Sequence, residues 1–127
     1  MTLTFDCVYY YVSDLDRSVL FYRDVLGFEL ISRDIVARFN VDGVRLELVP
    51  TRHRQKFSGK GNARLCLRVD HMTAARNDLM LRGVVSSEPV DEGPGLLSTL
   101  HDLDGNEICL WQEKETGRQQ RSSMWAD

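Results

Sequence analysis

Val41-Asp42-Gly43-Val44-Arg45-Leu46-Glu47-Leu48-Val49 and Leu103-Asp104-Gly105-Asn106-Glu107-Ile108-Cys109-Leu110-Trp111 are near copies within one chain. Both read apolar-Asp-Gly and then alternate, at an offset of 62 residues. Asp-Gly accepts the positive φ of a tight turn, so each copy reads as a hairpin turn entering a strand. A weaker match lies upstream, where Cys7-Val8-Tyr9-Tyr10-Tyr11-Val12 aligns with Arg64-Leu65-Cys66-Leu67-Arg68-Val69 at an offset of 57. Self-similarity of this kind sets the architecture before any single element is assigned.

Each upstream strand runs into a helix. In the first, Ser13 reads as the cap with Asp16 three residues on, a capping box that uses Asp. Leu15, Val19, Tyr22 and Leu26 then fall on one helical face, and Gly27 ends the helix where a left-handed residue is wanted. In the second, Asp70 reads as the cap, Met72, Ala75 and Leu79 form the face, and Gly83 ends it. The expected strands are 3–12, 28–33, 35–41 and 44–50 around a helix at 14–26. The second set is 63–69, 84–87, 96–102 and 106–112 around a helix at 71–82. The reading is therefore α+β: two tandem βαβββ modules, 1–50 and 62–113, curled into an incomplete barrel around a cavity. A polar, basic linker spans 51–61, and its Ser58-Gly59-Lys60-Gly61 lacks the spacing and strand-to-helix setting of a phosphate loop. The tail at 114–127 is polar, with Met124 and Trp125 its apolar members.

Composition narrows the class. The 127 residues are 43% hydrophobic and 28% charged, with a net charge of −3, which suits one domain with a real core. No basic field points to nucleic acid or to acidic membranes. The opening residues lack the cationic and apolar regions of a secretion signal, and no apolar run approaches the roughly 18 residues that span a bilayer. Three cysteines without CxxC spacing read as free thiols in a reducing compartment, so the expected location is cytoplasmic.

Side chains alternate along strands, which sorts them into a helix-facing row and an opposite row. Val44, Leu46 and Leu48 go to the helix, leaving Arg45, Glu47 and Val49. Ile108 and Leu110 go to the helix, leaving Glu107, Cys109 and Trp111. Leu65, Leu67 and Val69 leave Arg64, Cys66 and Arg68. The first strand is apolar on both rows, and the repeat assigns Phe5, Cys7, Tyr9 and Tyr11 to the opposite face. That face collects aromatics, arginines and all three thiols, too apolar for an open surface and too charged for a sealed core. An aromatic-lined, partly polar concavity satisfies both conditions, and such clefts hold small molecules. Tyr9, Tyr11 and Trp111 suit stacking on a planar ligand, and Arg45 or Arg68 suits an anionic group.

Asp14-Leu15-Asp16-Arg17-Ser18-Val19-Leu20-Phe21-Tyr22, then Val25-Leu26-Gly27-Phe28, resembles the opening of vicinal-oxygen-chelate proteins. These include glyoxalase I, extradiol dioxygenases and the fosfomycin- and bleomycin-resistance proteins. Asp102-Leu103-Asp104-Gly105-Asn106 is similar to the family's Asp-Pro-Asp-Gly-Asn, with Leu103 in the place of proline. The resemblance covers the chain to about Glu113. It implies a divalent metal held on four central strands, with ligand positions that fall on Cys7, Glu47, Arg64 and Cys109. Only Glu47 keeps a familiar ligand type. A guanidinium offers no lone pair. Two unit charges 4 Å apart interact by about 4 kcal/mol at an effective dielectric near 20, and a divalent ion beside Arg64 would meet about twice that repulsion. Glu47 is a natural partner for Arg64 and would fill the metal's space.

The expected function is thus a metal-independent binder of a small planar or aromatic molecule, resembling resistance or sequestration proteins. Ligand contacts are expected from Tyr9, Tyr11, Arg45, Glu47, Arg64, Arg68 and Trp111, with no cofactor. The resemblance also implies a homodimer. One alternative is a metal-dependent lyase, isomerase or dioxygenase recruiting Cys7, Glu47 and Cys109 for a divalent ion. Another is a non-catalytic dimeric scaffold. His53 and His71 read as solvated, His101 as a residue near a cavity mouth, and no Ser-His-Asp or Cys-His constellation is present.

Overall fold

The computed structural model describes residues 1–2, 5–51 and 64–114. The expected linker glycines, His53 and most of the tail lie outside them. Two compact units emerge, one comprising Met1–Lys60 with Asp102–Asn106, the other Gly61–His101 with Glu107–Asp127.

In the first unit, β1 (Val8–Val12), β2 (Glu29–Arg33), β3 (Ala37–Val41) and β4 (Val44–Pro50) form a sheet in the order β1-β4-β3-β2. β1 runs parallel to β4, and the other neighbours are antiparallel. The helix α1 (Leu15–Leu20) continues as a π-helical turn over Phe21–Val25, closed by Leu26 N–H donating to the Phe21 carbonyl at 3.1 Å. Asp14, rather than Ser13, is the cap: its carboxylate accepts from Arg17 N–H at 3.1 Å. Ser13 instead donates its backbone N–H to Asp104 at 3.0 Å. Val19 and Tyr22 are buried on the expected helical face, with Val12, Ala37, Phe39, Leu46 and Leu48 from the sheet. The Tyr22 ring is the hub of this core, with centroids 5.4 Å from Phe21 and 6.0 Å from both Phe28 and Phe39. Val44 is a partial exception to the expected row, since just after the turn it remains exposed.

The second unit repeats the plan. β5 (Leu65–Arg68), β6 (Val90–Asp91), β7 (Gly95–His101) and β8 (Glu107–Glu113) take the order β5-β8-β7-β6, with β5 parallel to β8. Its helix is α2 (Met72–Leu81). His71, not Asp70, occupies the cap position without a side-chain bond, and Gln112 Oε1 accepts from Met72 N–H at 2.6 Å instead. Gly27 and Gly83 end the two helices at φ 77° and 86°, as their places in the sequence require.

The strand expected at 84–87 does not form; pairing is confined to Val90–Asp91. Serines and an arginine take over the bonding there. Arg76 holds the Ser86 hydroxyl and carbonyl, both at 3.1 Å, and Ser98 Oγ donates to the Ser87 carbonyl at 2.6 Å. Pro89 lacks the N–H that a longer ladder would need. Neither sheet closes on itself. Among the described residues, no helix is long and apolar enough to cross a membrane.

Candidate functional site

The opposite face of the first sheet carries the expected row. Tyr9 and Tyr11 stand two apart on β1, beside Glu47 and Val49 of β4. Their rings meet edge to face, 5.4 Å between centroids and 83° between planes, and they are 50% and 46% exposed. Asp6, Cys7 and Glu47 bring one ligand atom each to within 4.8 Å of the others. Arg45 Nη1 lies 3.8 Å from Glu47 Oε2 and 4.0 Å from Asp6 Oδ1. Next across the sheet, Arg38 stands opposite Glu47 and donates to Asp34 at 3.1 Å and to the Ser32 hydroxyl at 3.4 Å. Burial pushes the Cys7 thiol up, reinforced by the Glu47 and Asp6 carboxylates. Tyr9 is raised chiefly by its hydrogen bond with Tyr11.

The second sheet's matching face holds three rows across β5, β8 and β7. Arg64 pairs with Glu107, whose other oxygen lies 3.9 Å from His101 Nε2. Cys66 stands opposite Cys109, with Thr99 beyond. Arg68 stands opposite Trp111 and reaches Glu113 at 3.6 Å. The Trp111 indole lies over Gly95, where an added Cβ would come within 2.5 Å of Cζ2. Its Nε1 is buried without a hydrogen-bond partner among the described residues.

Several expectations change. Within their own units, Glu47 has Arg45 as an ion-pair partner and Arg64 has Glu107. The thiols do not share one burial: Cys109 is buried, Cys7 intermediate and Cys66 exposed, because Cys66 sits on an edge strand. The Cys7 and Glu47 donors are grouped with Asp6, whereas Cys109 lies in the second unit beside Cys66. Asp6, Glu107 and Glu113 were not singled out from the sequence as site residues. For Glu107 the signal was available, since strand parity puts it in the row of Cys109 and Trp111.

The description of the glyoxalase/bleomycin resistance protein/dioxygenase superfamily matches residues 4–110. The chain belongs to that superfamily. Among curated proteins, none matches it. Among solved structures, the fosfomycin resistance protein FosX from Listeria monocytogenes is 14% identical, with a TM-score of 0.74 over 93% of this chain and 99% of its own. A glyoxalase family protein from Enterococcus faecalis is 17% identical, with a TM-score of 0.71 over 86% and 97%. TnmS3, an antibiotic binding protein from Streptomyces sp. CB03234, is 25% identical, with a TM-score of 0.66 over 90% and 100%.

The superfamily's usual divalent metal can be tested against the donors at hand. At the positions that the motif resemblance assigns to ligands stand Cys7, Glu47, Arg64 and Cys109. Arg64 has no lone pair to give, and its charge is held in place by Glu107. The four residues do not fit the ordinary metal centre.

Proposed function

We propose that this chain binds a small planar or aromatic molecule without the superfamily's metal, in the manner of a sequestering protein rather than a metalloenzyme. The observation that carries this reading is the guanidinium of Arg64, tied to Glu107 at a position that the motif resemblance assigns to a metal ligand. A half-exposed tyrosine pair on the first sheet supports it, offering ring surface to a flat ligand. The antibiotic-binding neighbour TnmS3 supports the small-molecule part of this reading. The chain acts as a homodimer in the cytoplasm.

The test has two arms. Reduced, tag-free protein is analysed for metals, and its melting temperature is followed against planar compounds. A binder gains stability as ligand concentration rises. Stoichiometric zinc, iron, nickel or manganese, lost in Glu47→Gln, would overturn the reading.

A second reading is favoured by the grouping of Asp6, Cys7 and Glu47. It is a metal-dependent lyase, isomerase or dioxygenase built on a thiolate and two carboxylates, a donor set that zinc accepts. Arg45 stands against it, because with this guanidinium beside them the two carboxylates keep one net negative charge, too little for a divalent ion.

A further inference from the structure

We infer that the Tyr9–Tyr11 corner of the first sheet recognises a positively charged amine on its aromatic ligand. The inference rests on the small-molecule reading above and adds the ligand's charge to it.

Where the two rings meet edge to face, one face of one ring is taken by the edge of the other, and the remaining faces, which carry the negative lobe of the aromatic quadrupole, form the walls of a cation site. Both rings are about half exposed, so these walls are accessible from solvent. Tyr9 stands directly across from Glu47, whose carboxylate gathers with that of Asp6 around Cys7. Among the described residues of the first unit, the Asp6 and Glu47 carboxylates stand here beside the Arg45 guanidinium. Arg45 reaches them only at 3.8 and 4.0 Å, longer than a hydrogen-bonded ion pair. Arg38, the next cation along the row, is engaged by Asp34 and Ser32.

An anionic ligand has no such welcome. The three arginines that the sequence offers for one, Arg45, Arg64 and Arg68, each face a carboxylate: Glu47, Glu107 and Glu113. A protonated amine meets ring faces and unbalanced carboxylates together; a carboxylate or phosphate would be repelled by both. The ligand class is accordingly an aromatic or polycyclic amine that is protonated at neutral pH.

The test uses the full, reduced chain in buffer containing a chelator, with three flat probes of similar size: 9-aminoacridine as cation, acridone as neutral compound and acridine-9-carboxylate as anion. Affinities are measured by equilibrium dialysis. The cation is expected to bind about tenfold more tightly than the neutral probe, and the anion most weakly. Glu47→Gln should reduce the cation's advantage severalfold, added salt should weaken it, and Tyr9→Leu should weaken cation binding. Tyr11→Leu is a second ring variant, and the melting temperature of each variant shows that it folds. Equal or tighter binding of acridone would overturn the inferred charge and leave the binder reading standing. If no probe binds, the binder reading and this inference fall together. A cation preference unchanged in all three variants would place the amine elsewhere and overturn the assignment of this corner.

Discussion

At the β3–β4 turn, Asp42 and Gly43 both take positive φ, 53° and 86°, and close a two-residue hairpin between the paired Val41 and Val44. At the β7–β8 turn only Gly105 does so, at φ 83°, and five residues separate the paired His101 and Glu107. The dipeptides match, yet their surroundings differ at the flanking positions. Where the first copy has Asn40 and Val44, the second has Asp102 and Asn106. Asn40 performs one local task, accepting from Gly43 N–H at 2.8 Å. Asp102 is buried and accepts four bonds: from the backbone of Asp104 and Asn106, from the Asn106 amide, and from the Tyr22 hydroxyl at 2.9 Å. Asn106 also donates to the Tyr11 carbonyl at 3.1 Å. One turn only reverses the chain; the other is part of the first unit's core. Tyr22 records this burial, its hydroxyl being pushed far above the usual tyrosine range by desolvation and then by Asp102.

The largest expected effect follows from this contrast. Asp102→Ala strands the Tyr22 hydroxyl and one N–H of the Asn106 amide in the interior, and should cost about 3–5 kcal/mol in urea unfolding. Asp42→Ala leaves nothing buried without a partner and only places alanine at positive φ, a cost of about 1 kcal/mol. Equal losses at the two sites would break the comparison.

The hairpins differ again at their far ends. β3 begins at Ala37, fully buried, whereas β7 begins at Gly95 beneath the Trp111 ring. A Cβ at residue 95 would meet Trp111 Cζ2 at 2.5 Å and the Gln112 carbonyl at 2.6 Å. The ring can tilt, but the backbone carbonyl belongs to a paired strand and cannot easily withdraw. Gly95→Ala should therefore cost about 2–3 kcal/mol and shift tryptophan emission in a Trp125→Phe background. A neutral substitution would mean that Trp111 is not held against this strand.

The fold was legible because it is written twice. Periodicity left the first strand undecided between its two faces, and the second copy decided it. Gly27 and Gly83 were readable because both sit where a helix must reverse. Caps were less so: Asp14 and Ser13 are equally good residues for the position, and only the placement of Asp104 decides which serves. The failure at 84–87 has a similar origin, since one backbone bond to β7 remains there, from Ser87 N–H to the Thr99 carbonyl at 2.8 Å, and the other bonds run through the side chains of Arg76, Ser86, Ser87 and Ser98. At the site, strand parity named the residues facing away from the helices. It could not assign the ion-pair partners within each unit, Arg45 for Glu47 and Glu107 for Arg64, which depend on strand neighbours.

A smaller repeat was not visible at all. Asp34 and Asp91 stand at the same 57-residue offset as the first strands, and each folds back to accept a backbone N–H two residues on, from Val36 at 3.0 Å and Gly93 at 2.9 Å. Both carboxyls are held below the ordinary aspartate value, for different leading reasons: the Val36 N–H for Asp34, and Lys114 for Asp91. A carboxyl lowered by folding contributes stability that is full above its unfolded value, about 3.9, and is lost as pH falls through the folded one. Both should thus contribute a little to resistance against acid, the least of the effects considered because both are exposed. Carboxyl-carbon NMR titration separates them. Lys114→Met should return Asp91 most of the way toward the ordinary value, while Arg38→Met should leave Asp34 clearly low, since its first cause is a backbone donor. The opposite ranking would show that the two turns, alike in their backbone bond, do not divide its work with their cations in this way.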